Sequence, residues 1–119
     1  MTTLEVLKDA RNLIADKGRW CRGYAALAES GHPVRAHSDR AVRWCAVGAV
    51  RHIVGDDWDA KSIRSIRQML NIVSEELHGK ENLVLVNDHD GHEAVLKVFD
   101  EAIKLLEEGN GPDRVQCEA

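Results

Sequence analysis

The sequence predicts an all-α fold, a small orthogonal or bundle-like domain of four main helices around a central buried helix. Three observations point there. Segments near the start, beyond the middle and near the end each carry apolar residues at spacings of three and four, the repeat of one helix face. The stretch Arg43-Trp44-Cys45-Ala46-Val47-Gly48-Ala49-Val50 is apolar almost all round a helical axis, which marks a buried helix. One short apolar run, Leu83-Val84-Leu85-Val86, fits a strand or a buried turn equally by its periodicity, and there is no second strong strand for it to pair with.

In chain order, Thr2-x-x-Glu5 resembles a capping box, in which hydroxyl and carboxylate each accept a backbone N–H of the first turn. Leu4, Leu7, Ala10 and Ile14 follow helical spacing, Val6 and Leu13 widen the stripe, and Gly18 ends the helix. Residues 19–24 keep no sustained period, and residues 24–28 suit a short helix. Ser30-Gly31-His32-Pro33 is a breaker cluster that predicts a surface loop. The central helix is expected over residues 38–55, capped by Ser38 or Asp39 and ended by Gly55. Gly48 within it costs about 1 kcal/mol of helix propensity, so close approach of another element should offset that loss. Asp56, Asp57 and Asp59 offer caps for a third helix, whose apolar positions Ile63, Ile66, Leu70, Val73 and Leu77 run toward Gly79. Residues 83–86 are expected as a buried turn or extended connector. Asp90-x-x-Glu93 is an acidic variant of the capping box, opening a last helix that turns Val95, Val98, Phe99, Ala102, Ile103 and Leu106 inward until Gly109. Residues 1–109 are thus expected to form a single helical domain and residues 110–119 a flexible tail.

At 119 residues the chain is long enough for one core without metal or disulfide support. It shows no signal peptide and no apolar run of membrane-spanning length, and its three cysteines form no close pair. A soluble, cytoplasmic protein with reduced thiols and no membrane partner is therefore expected. The formal net charge of −4 conceals a division. Residues 1–70 carry 12 Lys and Arg against 8 Asp and Glu, whereas residues 71–119 carry 4 against 12. Arginines dominate the first part, which permits a local anion site in an acidic protein. They are spread among elements, which argues against nucleic acid as a partner.

No established catalytic signature is present. Cys45 is expected inside a helix, beyond reach of the unpaired amides of the first turn, and reads as a packed small hydrophobe. Cys21, flanked by Arg19 and Arg22, is the better placed thiol, but no spacing rule selects a histidine to serve it. The segment Asn87-Asp88-His89-Asp90-Gly91-His92-Glu93 fits neither a calcium loop nor a zinc motif. No catalytic residue, metal ligand or cofactor is assigned. Asn87 and Asp88 directly follow an apolar run, at the edge of the core, where an amide and a carboxylate can read the edge of a polar heterocycle. Trp20, Tyr24, Arg22 and Arg43 can add stacking and phosphate contacts.

Three groups of residues carry a likeness: Trp20-Cys21-x-Gly23; Ala41-Val42-Arg43-Trp44-Cys45-x-x-Gly48-Ala49; and Asn87-Asp88 followed by Val95-x-x-x-Phe99-x-x-Ala102-Ile103. Together they resemble an uncharacterised family of small helical proteins of bacteria and their phages, over roughly residues 4 to 106. Relatives often carry Trp just before Asn-Asp, where this chain has Val86. A phage setting would imply an antagonist of host defence, such as a nucleotide-sequestering protein. The leading expectation is a non-enzymatic binding module for a small polar, nucleotide-like ligand, lined by Trp20, Arg22, Tyr24, Arg43, Asn87 and Asp88. The alternatives are a cysteine-dependent hydrolase or transferase, and an interaction domain in which oppositely charged halves hold a homodimer.

Overall fold

The computed structural model describes residues 2–55 and 60–109. The three segments with the clearest helical spacing form helices: α1 (Thr3–Leu13), α3 (Ala60–His78) and α5 (His92–Glu107). The capping box of α1 closes in both directions, with Thr2 Oγ1 accepting from Glu5 N at 3.1 Å and Glu5 Oε1 accepting from Thr2 N at 2.9 Å. Helix α5 begins differently from expectation. Its N-cap is Gly91, at φ 96°, with no side-chain cap, so Asp90 and Glu93 make no capping box.

The all-α class is overturned by a three-stranded antiparallel sheet, β1 (Ala26–Ala28), β2 (Pro33–Val34) and β3 (Ala41–Trp44), in the order β2-β1-β3. The fold is mixed α and β. Residues expected as a short helix and a loop form the β1–β2 hairpin instead, closed by Ala28 N donating to His32 O at 2.9 Å. The long central helix divides into β3 and a shorter α2 (Ala46–Val54). A bulge explains why this strand reads as a helix. Leu27 pairs with Arg43 and Ala28 with Ala41, so Val42 is an extra residue on β3. Ala41 and Trp44 are buried while Val42 and Arg43 are exposed, a spacing of three that imitates a helix face.

Helix α1 packs against α2 and α5, and α3 packs against α5. Their shared core includes Leu7, Ile14, Val54, Ile66, Leu70 and Phe99, all nearly or wholly removed from solvent. Residues 83–86 are helical, not extended: a short turn α4 (Leu83–Leu85) runs into a wide π-type turn, Val86–Asp90. The sheet is tied to α2 through one carbonyl. Ala36 O accepts from the buried Trp44 indole at 2.9 Å and lies 2.8 Å from His52 Nδ1. No helix of the described residues is long and apolar enough to cross a membrane. The caps expected at Asp56 to Asp59 and the tail expected at 110–119 lie outside the described residues.

The close approach expected at Gly48 is present. A Cβ built there would stand 1.9 Å from the Ala25 carbonyl oxygen, a backbone atom that cannot yield without moving the segment entering β1. Gly48→Ala is therefore expected to destabilise the protein by about 1–3 kcal/mol, the usual cost of overpacking. Urea unfolding followed by tryptophan fluorescence checks this, and a midpoint equal to wild type would contradict it.

Candidate functional site

The site is built from the segment preceding β1, the start of α2 and the π-type turn. Trp20 makes a parallel bridge to Trp44, and Cys21 N donates to Trp44 O at 3.1 Å. This brings residues 20–24 alongside Cys45. The π-type turn then delivers Asn87 to the same place, 1% exposed. Asn87 Oδ1 accepts from the Trp20 indole N–H at 2.6 Å and from Ala46 N at 3.0 Å. Its Nδ2 donates to Cys21 O at 3.1 Å and to Asp88 Oδ1 at 3.0 Å. The carboxamide uses two acceptor and two donor positions, its full capacity. Asp88 Oδ1 also accepts from Gly23 N at 3.0 Å.

Beside this network lies a cavity of about 220 Å³. Val47 and Val84 give it apolar walls, Tyr24 and Cys45 flank it, and Asp88 and Arg51 supply charge. Of the six residues read from the sequence, Tyr24, Asn87 and Asp88 meet there. Trp20, Arg22 and Arg43 do not line it. Trp20 is half-buried behind Asn87, with its ring 5.5 Å from that of His92. The Arg22 guanidinium lies 5.3 Å from the Trp20 ring centroid, a cation–π contact. Arg43 Nε donates to Gly18 O at 3.3 Å.

Cys45 is the residue whose setting differs most from expectation. It is the N-cap of α2, with Sγ accepting from Gly48 N at 3.2 Å. A helix N-terminus favours a thiolate. Burial nonetheless dominates and raises the Cys45 thiol; the Gly48 and Val47 amides oppose it, and the charge of Asp88 reinforces it. Cys21 donates from Sγ to Tyr24 O at 3.4 Å. Burial first, then Cys45, push its thiol up to about 11, with Arg43 pulling the other way and Asp88 adding to the rise. Both thiols are neutral at pH 7, and among the described residues neither bonds to a histidine.

No group of three or more His, Cys, Asp or Glu among the described residues could hold a metal ion. His92 Nε2 is instead 2.6 Å from Ile14 O. Sequence reasoning missed Arg51, Val47 and Val84, and it placed Cys45 too deep in a helix. The arginine excess of the first 70 residues was the available signal for Arg51. A model of a family of unknown function, DUF6197, matches residues 1–105. No curated protein and no solved structure matches the chain.

Asn87→Ala would leave the Ala46 amide, the Trp20 indole and the Cys21 carbonyl without this partner, each at about 1–3 kcal/mol when buried. A loss of at least about 2 kcal/mol in urea unfolding is expected. Asn87→Asp should cost more, because it turns a second oxygen on Cys21 O and Asp88. In a Cys117→Ser background, iodoacetamide should label Cys21 and Cys45 more slowly than free cysteine at pH 7.5, with Cys21 accelerating only toward pH 11. Below pH 9 both folded and unfolded thiols are protonated and Cys21 adds no pH dependence; between 9 and about 11 the unfolded thiol ionises first, so stability falls as pH rises.

Proposed function

We propose, from the premise that the chain belongs to the DUF6197 family of unknown function, that it is a non-enzymatic binding module for a small polar, nucleotide-like ligand. The observation that carries this reading is the cavity at the start of α2, whose lining combines the apolar Val47 and Val84 with Asp88 and Arg51. Mostly apolar linings with a few convergent polar groups are the usual form of small-molecule sites. A heterocycle would rest its faces on Val47, Val84 and Tyr24. Its polar edge would meet Asp88, whose Oδ1 is already held by Gly23 and Asn87, so the carboxylate is oriented before any ligand arrives.

The state of the thiols supports binding over cysteine-dependent catalysis. A cysteine nucleophile acts as thiolate, and burial keeps Cys21 and Cys45 protonated. The second reading, a cysteine-dependent hydrolase or transferase, draws on the N-cap position of Cys45. In the phage setting that the sequence resemblance implies, the binding module would sequester a nucleotide of the host.

A thermal-shift screen against nucleosides and nucleotides at millimolar concentration tests the proposal. A ligand at 100 times its Kd stabilises by about 2.7 kcal/mol, well above detection. Val84→Trp, which fills the cavity mouth, and Asp88→Asn should each weaken binding at least tenfold, with the ligand recovered unchanged by chromatography. No shift with any compound would refute the proposal, and conversion of the ligand abolished by Cys45→Ser would transfer support to the enzymatic reading.

A further inference from the structure

Arg51, which lines the cavity, also stands beside two arginines of α3. Arg51 of α2 faces the exposed side of α3, where Arg64, Arg67, Gln68 and Asn71 line a groove of about 390 Å³. Residues 64, 67, 68 and 71 are spaced three and four apart and so share one helix face. No carboxylate lines the groove among the described residues. Three ion pairs join charged side chains elsewhere among the described residues, Lys8 with Glu107, Arg11 with Asp100 and Lys80 with Asp90. Arg51, Arg64 and Arg67 have no such partner among the described residues. Like charges three apart on a helix repel each other, and an anion lying between them would relieve that repulsion.

The groove is also one-sided in its hydrogen bonding. Guanidinium groups donate and never accept. Asn71 Oδ1 is occupied by Leu83 N at 3.0 Å, which leaves the Asn71 amide to the groove as a donor. Gln68 adds an amide that can donate or accept, so donors predominate, and with three positive charges they match a ligand that is multiply negative and mostly accepts. Arg51 belongs both to this groove and to the cavity beside Asp88, so the two spaces adjoin at one side chain.

We infer that the groove formed by Arg51, Arg64 and Arg67 is a diphosphate- or triphosphate-binding subsite, and that the ligand of the adjoining cavity is a phosphorylated one with its heterocycle beside Asp88. This inference rests on the binding reading above and names the chemistry of the second half of the ligand. Arginine forks hold phosphate oxygens in pairs. Arg51 stands at the junction, where the first phosphate would meet it. Because the arginines are exposed, the contribution weakens as salt rises.

The test uses isothermal titration of the full chain with pyrophosphate, with the four common ribonucleosides and with their 5′-diphosphates, at 50 and 300 mM salt. Wild type is expected to bind pyrophosphate at millimolar concentration and one diphosphate at least tenfold more tightly than its nucleoside. Arg64→Gln with Arg67→Gln should remove both effects while leaving the unfolding midpoint unchanged or raised. Arg40→Gln, at an exposed arginine outside both the groove and the cavity, should leave binding intact. Nucleosides binding as well as their diphosphates, with pyrophosphate silent, would overturn the subsite and leave the cavity reading standing. Pyrophosphate binding that no nucleoside moiety improves would support the groove and overturn the cavity reading. A single-stranded oligonucleotide binding more tightly than every diphosphate would overturn the small-ligand subsite in favour of a polyanion surface, and silence from every probe would overturn both.

Discussion

The carboxamide of Asn87 holds together three segments that share no regular structure: the irregular stretch at Trp20 and Cys21, the first residue of α2, and the π-type turn itself. Its oxygen takes the Ala46 N–H, one of the amides that a helix start leaves unpaired. The Cys45 sulfur takes a second, from Gly48. Helix α2 is therefore capped partly by its own N-cap and partly by a side chain 41 positions away. The wide turn matters here. Gly91 N reaches back five residues to Val86 O at 3.1 Å, and the added girth lets Asn87 turn into the core while Asp88 stays at its edge. Without that amide, neither the orientation of Asp88 nor the approach of residues 23–25 to α2 has a fixed reference.

How far the fold was legible follows from the length of each pattern. Helices α1, α3 and α5 span three or more turns, so burial on one face leaves a repeat that random placement rarely matches. The strands have two to four residues, too few for a period of two to stand out. The bulge at Val42 then erased what alternation remained: Ala41, Trp44, Ala46 and Ala49 are buried at steps of three, two and three, a sequence continuous with the helix that follows. Nothing local marks Cys45 as a helix start, because cysteine is not among the usual N-cap residues. The glycine three positions later was readable as a close contact. Its partner, the Ala25 carbonyl, was not, since that contact exists only once β1 lies beside α2.

The site was half legible for a related reason. Asn87 and Asp88 stood out as polar residues directly after an apolar run, and residues 20–24 as a patternless stretch holding two aromatic rings; the structure brings both to one place. Whether a polar group is still free depends on its tertiary neighbours, and sequence cannot report it. The Asn87 amide and the Trp20 N–H are both engaged inside the protein, and Arg22 lies over the Trp20 ring. Val86, directly before Asn87 and Asp88, is fully buried, so that position belongs to the core of this chain. Grouping Arg51 with Arg64 and Arg67 requires knowing how α2 meets α3, which composition alone does not contain.

Cysteine at an N-cap raises the question of why a weaker acceptor replaces the usual hydroxyl or carboxylate. A serine oxygen would hold the Gly48 amide more strongly, and an aspartate would complement the helix dipole as well. Cys45, however, also forms part of the cavity wall beside Val47 and Val84. There a hydroxyl would demand hydration and a carboxylate would face Asp88 across a small space. The thiol satisfies the amide and still presents an apolar surface, and burial keeps it neutral against the pull of the helix amides. One part of the lining is thereby apolar, while Asp88 and Arg51 contribute polar groups to the same cavity. That combination is the property a flat polar heterocycle needs, and it depends on a sulfur at position 45.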